Sequence, residues 1–221
     1  MWVKICANTN AEDALGAVKL GADAVGFVFA PSKRQMDVAR VRAITELLPP
    51  GVERVGVFPG GDVETIAEAA LEAGLTAVQI HGGLNLADAA ALRERLGAGV
   101  ALIHVVHWRI GEDEASEREV RAQLQALVGA GLDERVLIDA KMGAASGGLG
   151  VAFDWAKAQK VLAEFPTLRV IVAGGLRPES VGGAVRTFTP YGVDVASGVE
   201  AAPGKKDHGK LRRFIENARR A

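Results

Sequence analysis

Short, almost continuously apolar runs alternate along this chain with longer segments in which apolar residues return every three or four positions. The runs fall at about residues 2–6, 23–29, 53–58, 76–80, 100–106, 135–139, 168–173 and 191–196. Aliphatic and β-branched stretches of that length predict strands buried on both faces. Between them, Ala11, Ala14, Leu15 and Val18 follow the i, i+3, i+4, i+7 spacing of an amphipathic helix, with Asn10 as N-cap and Glu12-Asp13 in the first turn. Val63, Ile66, Ala67 and Ala70 repeat that spacing behind Asp62, and Leu211, Phe214, Ile215 and Ala218 repeat it near the end. Gly21, Gly74 and Gly97 stand where helices should stop.

Strict strand-helix alternation requires parallel strands joined by right-handed crossovers. Eight strands in 221 residues give one unit per ~28 residues, with no shift in composition to mark a second domain. A single (β/α)8 TIM barrel spanning residues 1–221 is therefore expected. The rival is an open, doubly wound sheet. Its dinucleotide fingerprint needs glycines in the first strand-helix turn, and Cys6-Ala7-Asn8-Thr9-Asn10 has none.

Composition narrows the partners. Hydrophobic residues make up 49% of the chain, a globular figure, and the net charge of −1 supplies no basic excess to meet nucleic acid or an anionic membrane. One cysteine cannot form an internal disulfide, which fits a reducing cytoplasm. The N-terminus lacks a signal-peptide pattern, and no apolar run approaches the ~20 residues of a membrane span. A cytoplasmic protein is expected, either monomer or homodimer.

Candidate chemistry sits at strand ends. Cys6 closes the first run and Asp139 the sixth, so in a closed parallel barrel both side chains share one mouth, where they would serve as base and acid on one small molecule. After strands seven and eight come the turns Ala173-Gly174-Gly175-Leu176 and Ala196-Ser197-Gly198-Val199-Glu200. Loops at those two positions commonly hold a phosphate in barrels of this kind, and glycine lets the backbone amides approach it. Gly174, Gly175, Ser197 and Gly198 are thus the candidate phosphate ligands, although glycine in such turns also serves geometry alone. The long stretch around Gly147-Gly148 after strand six reads as a closing lid or as a plain surface loop.

Specific segments then carry a resemblance. Val3-Lys4-Ile5-Cys6, Val78-Gln79-Ile80-His81-Gly82, Phe153-Asp154-Trp155, Ala173-Gly174-Gly175-Leu176 and Ser197-Gly198-Val199-Glu200 with Pro203-Gly204-Lys205-Lys206-Asp207 run from the first strand to the last helix. Across that whole length the chain resembles the phosphoribosylanthranilate isomerases of tryptophan biosynthesis. The resemblance implies an Amadori rearrangement of a phosphorylated aminosugar without metal or redox cofactor, Cys6 as general base, Asp139 as general acid, and Arg34 as contact for the anthranilate carboxylate. Gln79, ending strand four, is expected as a polar contact in the mouth or as an orienting residue behind it. Five positions, at three sites, depart from the family pattern. Ala7-Asn8 replaces glycine and an aliphatic residue, Val151-Ala152 replaces Lys-Thr, and His104 replaces lysine.

Such a reaction opens a furanose ring by protonating its oxygen, then removes the proton from C2′ of the resulting Schiff base. An ordinary thiol near 8.5 is only ~3% thiolate at pH 7, and an ordinary Asp near 3.9 only ~0.1% protonated. Either the site pushes Cys6 down and Asp139 up, or catalysis runs through a minor proton arrangement. Lys4 shares a strand face with Cys6, and a lysine inside a barrel needs a partner. Asp194 on the neighbouring eighth strand is the natural one, unless Lys4 snorkels to the lower rim. His81, His104 and His107 show no metal-ligand spacing and read as structural. Lys205, Lys206, Lys210, Arg212 and Arg213 read as a solvated helix face.

Two other functions fit parts of the pattern. A histidine-pathway sugar isomerase would run the same rearrangement but resembles a two-aspartate design, against which Cys6 speaks. A non-catalytic phosphate-binding barrel would not need both Cys6 and Asp139.

Overall fold

The computed structural model describes residues 1–82, 85–132, 135–142 and 155–221. Eight parallel strands close into a barrel in sequence order: β1 (Trp2–Ile5), β2 (Ala24–Val28), β3 (Glu53–Phe58), β4 (Ala77–Ile80), β5 (Ala101–Ile110), β6 (Arg135–Met142), β7 (Val170–Ala173) and β8 (Gly192–Val195). Pairing of β1 with β8, with Lys4 opposite Asp194, completes the circle. Helices α1 (Ala11–Lys19), α2 (Val38–Thr45), α3 (Val63–Glu72), α4 (Leu86–Leu96), α5 (Asp113–Gly129), α6 (Trp155–Ala163), α7 (Pro178–Phe188) and α8 (His208–Arg220) follow the strands in turn. A two-stranded hairpin, β9 (Glu200–Ala202) and β10 (Lys205–Lys206), lies between β8 and α8. The (β/α)8 barrel is the expected fold, and the segment around Gly147-Gly148 lies outside the described residues, as does Val151-Ala152.

Local signals act as the sequence implies. The Asn10 side chain caps α1 by accepting from the Asp13 N–H, and Asp62 caps α3 by accepting from Thr65. Gly74 and Gly97 follow their helices at φ of 65° and 64°, where an L-residue would be strained. On α8, Leu211, Phe214, Ile215 and Ala218 are all buried. Asp13 departs from expectation. It is buried, and it accepts from the Lys206 backbone N–H and contacts the His208 ring, so α1 and α8 are joined through a carboxylate.

Two apolar layers make the core. Inside the barrel pack Trp2, Ala24, Val55, Ala77, Ile103, Leu137 and Ile171, while the opposite strand faces join the helices in one large outer cluster. Below the inner layer, Arg135 makes a bidentate ion pair with Glu53 and stacks its guanidinium 5.6 Å from the Trp2 ring centre, which closes the floor. Both β5 and β6 run beyond their apolar cores, pairing His107 with Asp139 and Ile110 with Met142. Asp139 therefore lies inside a strand rather than at its end. Among the described residues no helix is long and apolar enough to cross a membrane.

Candidate active site

A cavity of about 430 Å³ opens at the C-terminal ends of the strands, the face on which barrels of this type carry their sites. Cys6, Asp139, Arg34, Gln79, Gly174, Gly175, Ser197 and Gly198 all line it. Residues from the first to the eighth strand are thus gathered around one volume of small-molecule size.

Cys6 follows β1 directly and is buried. Its backbone N–H donates to the Val195 carbonyl at 2.8 Å, which fixes the residue against β8. Gly26 on β2 makes room for it: a Cβ there would stand 2.8 Å from the Cys6 sulfur and 3.0 Å from Cε of Lys4. One level below, the fully buried Lys4 donates to Asp194 at 3.1 Å and to the Gln79 side-chain oxygen at 2.8 Å. The expected Lys4–Asp194 pair is present, and Lys4 does not reach for the lower rim. Burial alone would lower the Lys4 ammonium, but the Asp194 carboxylate and the nearby sulfur outweigh it and hold the group above its ordinary value. Gln79 lines the cavity and accepts from the Lys4 ammonium behind it.

The thiol departs from the first of the two expectations. Burial pushes Cys6 up, and the pull of Lys4 in the other direction does not overcome it. Asp194, beside Lys4, adds to the upward push. The neutral thiol is therefore the resting form at pH 7, and a thiolate here belongs to a minor proton arrangement.

Asp139 projects from β6 towards two imidazoles. His81 Nε2 lies 3.7 Å and His107 Nδ1 3.6 Å from its Oδ2. Sequence spacing gave no reason to group these histidines, since 26 residues separate them; the parallel barrel does so by placing the ends of β4, β5 and β6 side by side. His104 is different. Ile103 and Val105 belong to the inner cluster, so His104 between them faces outward, beside Leu127 and Gln123 of α5. Its departure from lysine lies outside the candidate mouth.

Arg34 reaches the cavity from the loop after β2, held by two hydrogen bonds to Glu200, Nε to Oε1 at 2.8 Å and Nη2 to Oε2 at 2.5 Å. Two of its five N–H donors are spent on Glu200, leaving others for a ligand. Burial pushes the Glu200 carboxyl up, but Arg34, the Lys206 ammonium and the Gly204 N–H together hold it below the usual carboxylate range. Lys206 corrects an expectation: it is buried on β10 rather than on a solvated helix face, and its ammonium donates to the Cys6 carbonyl at 2.5 Å and the Ala196 carbonyl at 3.3 Å. Lys210 likewise turns inward to the Glu200 carbonyl. Glu200 and Lys206 were the residues a sequence reading could have flagged, because both belong to the specific Ser197–Asp207 pattern.

The two glycine turns meet at the opposite wall. Gly174 has φ of 91°, and a Cβ there would stand 2.3 Å from the Ala140 backbone nitrogen, so only glycine fits between β7 and β6. Gly198 is packed as closely on the Leu176 carbonyl, which seats the short 3-10 turn Ser197–Val199 on the β7 turn. Near the first strand, Ala7 holds φ of 61°, the left-handed region that favours glycine. Its neighbour Asn8 is buried and donates to the Ile5 carbonyl at 2.8 Å.

Comparisons with known proteins agree with this architecture over its whole length. The family model described as N-(5'phosphoribosyl)anthranilate (PRA) isomerase matches residues 3–217. An N-(5'-phosphoribosyl)anthranilate isomerase from Thermotoga neapolitana is 42% identical over 218 residues, 98% of each chain. The crystal structure of phosphoribosyl anthranilate isomerase from Thermotoga maritima superposes with a TM-score of 0.85 at 38% identity, covering 100% of both chains. A structure of such an isomerase in complex with reduced 1-(o-carboxyphenylamino)-1-deoxyribulose 5-phosphate gives 0.82 at 37% identity, again over 100% of both. The chain belongs to the N-(5'-phosphoribosyl)anthranilate isomerase family.

Proposed function

We infer that the mouth of this barrel converts N-(5'-phosphoribosyl)anthranilate to 1-(o-carboxyphenylamino)-1-deoxyribulose 5-phosphate in tryptophan biosynthesis, with Asp139 as general acid and Cys6 as general base. The observation that carries this reading is that one cavity is lined by both groups, by the Arg34 guanidinium and by the two glycine turns. Asp139 protonates the furanose ring oxygen as the ring opens. The Schiff base so formed acidifies C2′, Cys6 takes that proton, and the enolamine tautomerises to the aminoketose. Arg34 meets the anthranilate carboxylate, and amides around Gly174, Gly175, Ser197 and Gly198 cradle the phosphate.

The upward push on Cys6 has a place in this scheme. A neutral acid with a thiolate holds the same single proton as a carboxylate with a thiol, so the productive arrangement is reached by moving one proton between Cys6 and Asp139, not by changing pH. Lys4 helps by stabilising the thiolate once formed. Incubating the purified protein with the anthranilate-derived aminoaldose should give the aminoketose. Failure to turn it over, or turnover of the histidine-pathway aminosugar in its place, would overturn the reading.

A further inference from the structure

We propose that His81, His107 and Asp139 bind one divalent transition-metal ion of the zinc and cobalt class, and that an ion held there withdraws Asp139 from acid duty. The binding half stands on the geometry of these three residues; the inhibitory half rests on the assignment of Asp139 as acid. One nitrogen from each ring and one carboxylate oxygen all lie within 4.8 Å of one another. Bonds of about 2.0–2.1 Å to a tetrahedral ion set neighbouring ligand atoms about 3.3–3.5 Å apart. The two histidine-to-Asp139 separations, 3.7 and 3.6 Å, lie within a few tenths of an ångström of that edge. The third edge, between the two imidazole nitrogens, is within 4.8 Å, and rotation of the rings towards the carboxylate completes the triangle.

An independent observation comes from the His107 tautomer. Its Nε2 sits 2.9 Å from the His81 carbonyl oxygen, and against a carbonyl oxygen an imidazole nitrogen can only donate. The neutral ring then presents a lone pair at Nδ1, which is buried, makes no hydrogen bond and faces the carboxylate. A proton does not bridge that gap well, since 3.6 Å is too long for a hydrogen bond. A cation between the two does. Donation of the second ring nitrogen to a backbone carbonyl is also how ligating histidines are usually oriented. Two imidazoles and one carboxylate suit zinc, cobalt or ferrous iron rather than magnesium or calcium. His81 and Asp139 line the cavity, and among the described residues no fourth His, Cys, Asp or Glu joins the group.

The test uses the full chain, purified without an affinity tag, stripped with chelator and titrated with Co2+, followed by its visible d–d absorption and by equilibrium dialysis. One ion per chain is expected. His81→Gln and His107→Gln should each weaken binding by about tenfold or more, while His104→Gln and His208→Gln leave it unchanged. Circular dichroism of each variant shows that it is folded. No saturable uptake, or uptake undiminished in both His81→Gln and His107→Gln, overturns the site. In the isomerase assay, Zn2+ should abolish wild-type turnover in step with occupancy, and EDTA should restore it. His107→Gln should need about tenfold more Zn2+ or more for the same fractional loss against its own metal-free rate. Saturable binding with undiminished turnover overturns the inhibitory half, whereas a protein that binds the ion but never isomerises the substrate refutes the acid assignment and leaves the site standing.

Discussion

Lys4→Met leaves the Asp194 carboxylate inside the barrel without its cation, and the size of that loss follows from the structure. The Lys4 side chain is 0% exposed and that of Asp194 10%, so solvent cannot replace the ion pair. The variant escapes the buried charge by protonating Asp194. At pH 7 that costs at most about 4 kcal/mol, the ~3.1 units between pH 7 and an ordinary Asp at 1.36 kcal/mol each. A loss of about 3–4 kcal/mol is expected, within the range for breaking a buried pair. The pH dependence has a definite sign. Burial holds the Asp194 carboxyl above its ordinary value even beside Lys4, and removing the cation raises it further, so the penalty is small at low pH, where Asp194 is protonated in both proteins, and grows as pH rises towards 7. Denaturant unfolding of wild type, Lys4→Met, Asp194→Asn and the double variant at pH 5 and 7 measures both effects. Each single loss should exceed 2 kcal/mol at pH 7, with the double variant losing less than their sum. Additive losses, or a Lys4→Met penalty equal at both pH values, would refute the argument.

Other outcomes follow from the same geometry. Ala7→Gly relieves a left-handed alanine worth roughly 1–2 kcal/mol and returns about half of that as backbone entropy, so Tm should rise by about 1–4 °C in calorimetry; a fall would mean that the φ of 61° carries no strain. Alkylation of the single thiol should accelerate steadily through pH 9 without levelling off, because burial holds Cys6 above its ordinary value of about 8.5, and a plateau near pH 7 would contradict it. By the same shift, the stability Cys6 contributes is present below its unfolded pKa and lost as pH rises through the folded one. Arg34→Lys cannot keep the bidentate Glu200 contact and still offer a planar fork to a carboxylate, so KM should rise about 10–100-fold, for one lost charge-assisted bond of ~1.5–3 kcal/mol, with kcat less affected.

The barrel was legible because its strands are buried on both faces and read as plain apolar runs, as Val136–Ile138 does. What the pattern could not show was where β5 and β6 end. Their pairs beyond the apolar core, from His107 with Asp139 to Ile110 with Met142, use mixed residues whose strand character comes only from each other. Cys6 and the glycine turns were legible as strand-end residues, Asp139 only as the close of the sixth apolar run, and the Lys4–Asp194 pair followed from strand parity once closure was assumed. Long-range polar contacts were not. Asp13 looked like an ordinary first-turn acid, although Lys206 and His208, from the far end of the chain, bury it. Lys206 looked like one more surface lysine in a basic stretch. Its burial against the Cys6 carbonyl is a product of the hairpin that precedes α8. The grouping of His81 and His107 around Asp139 likewise exists only in the closed sheet.

The paired roles of Asp139 and Cys6 are tested most directly by steady-state turnover of Asp139→Asn and Cys6→Ser, with affinity for the reduced product analogue measured on the same samples. Neither variant alters the shape of the cavity much, and each removes one proton carrier. The account predicts kcat lower by about 10²–10⁴ in both, with analogue affinity within a few-fold of wild type. Near wild-type turnover in either variant, with the protein folded and the analogue bound, would contradict it.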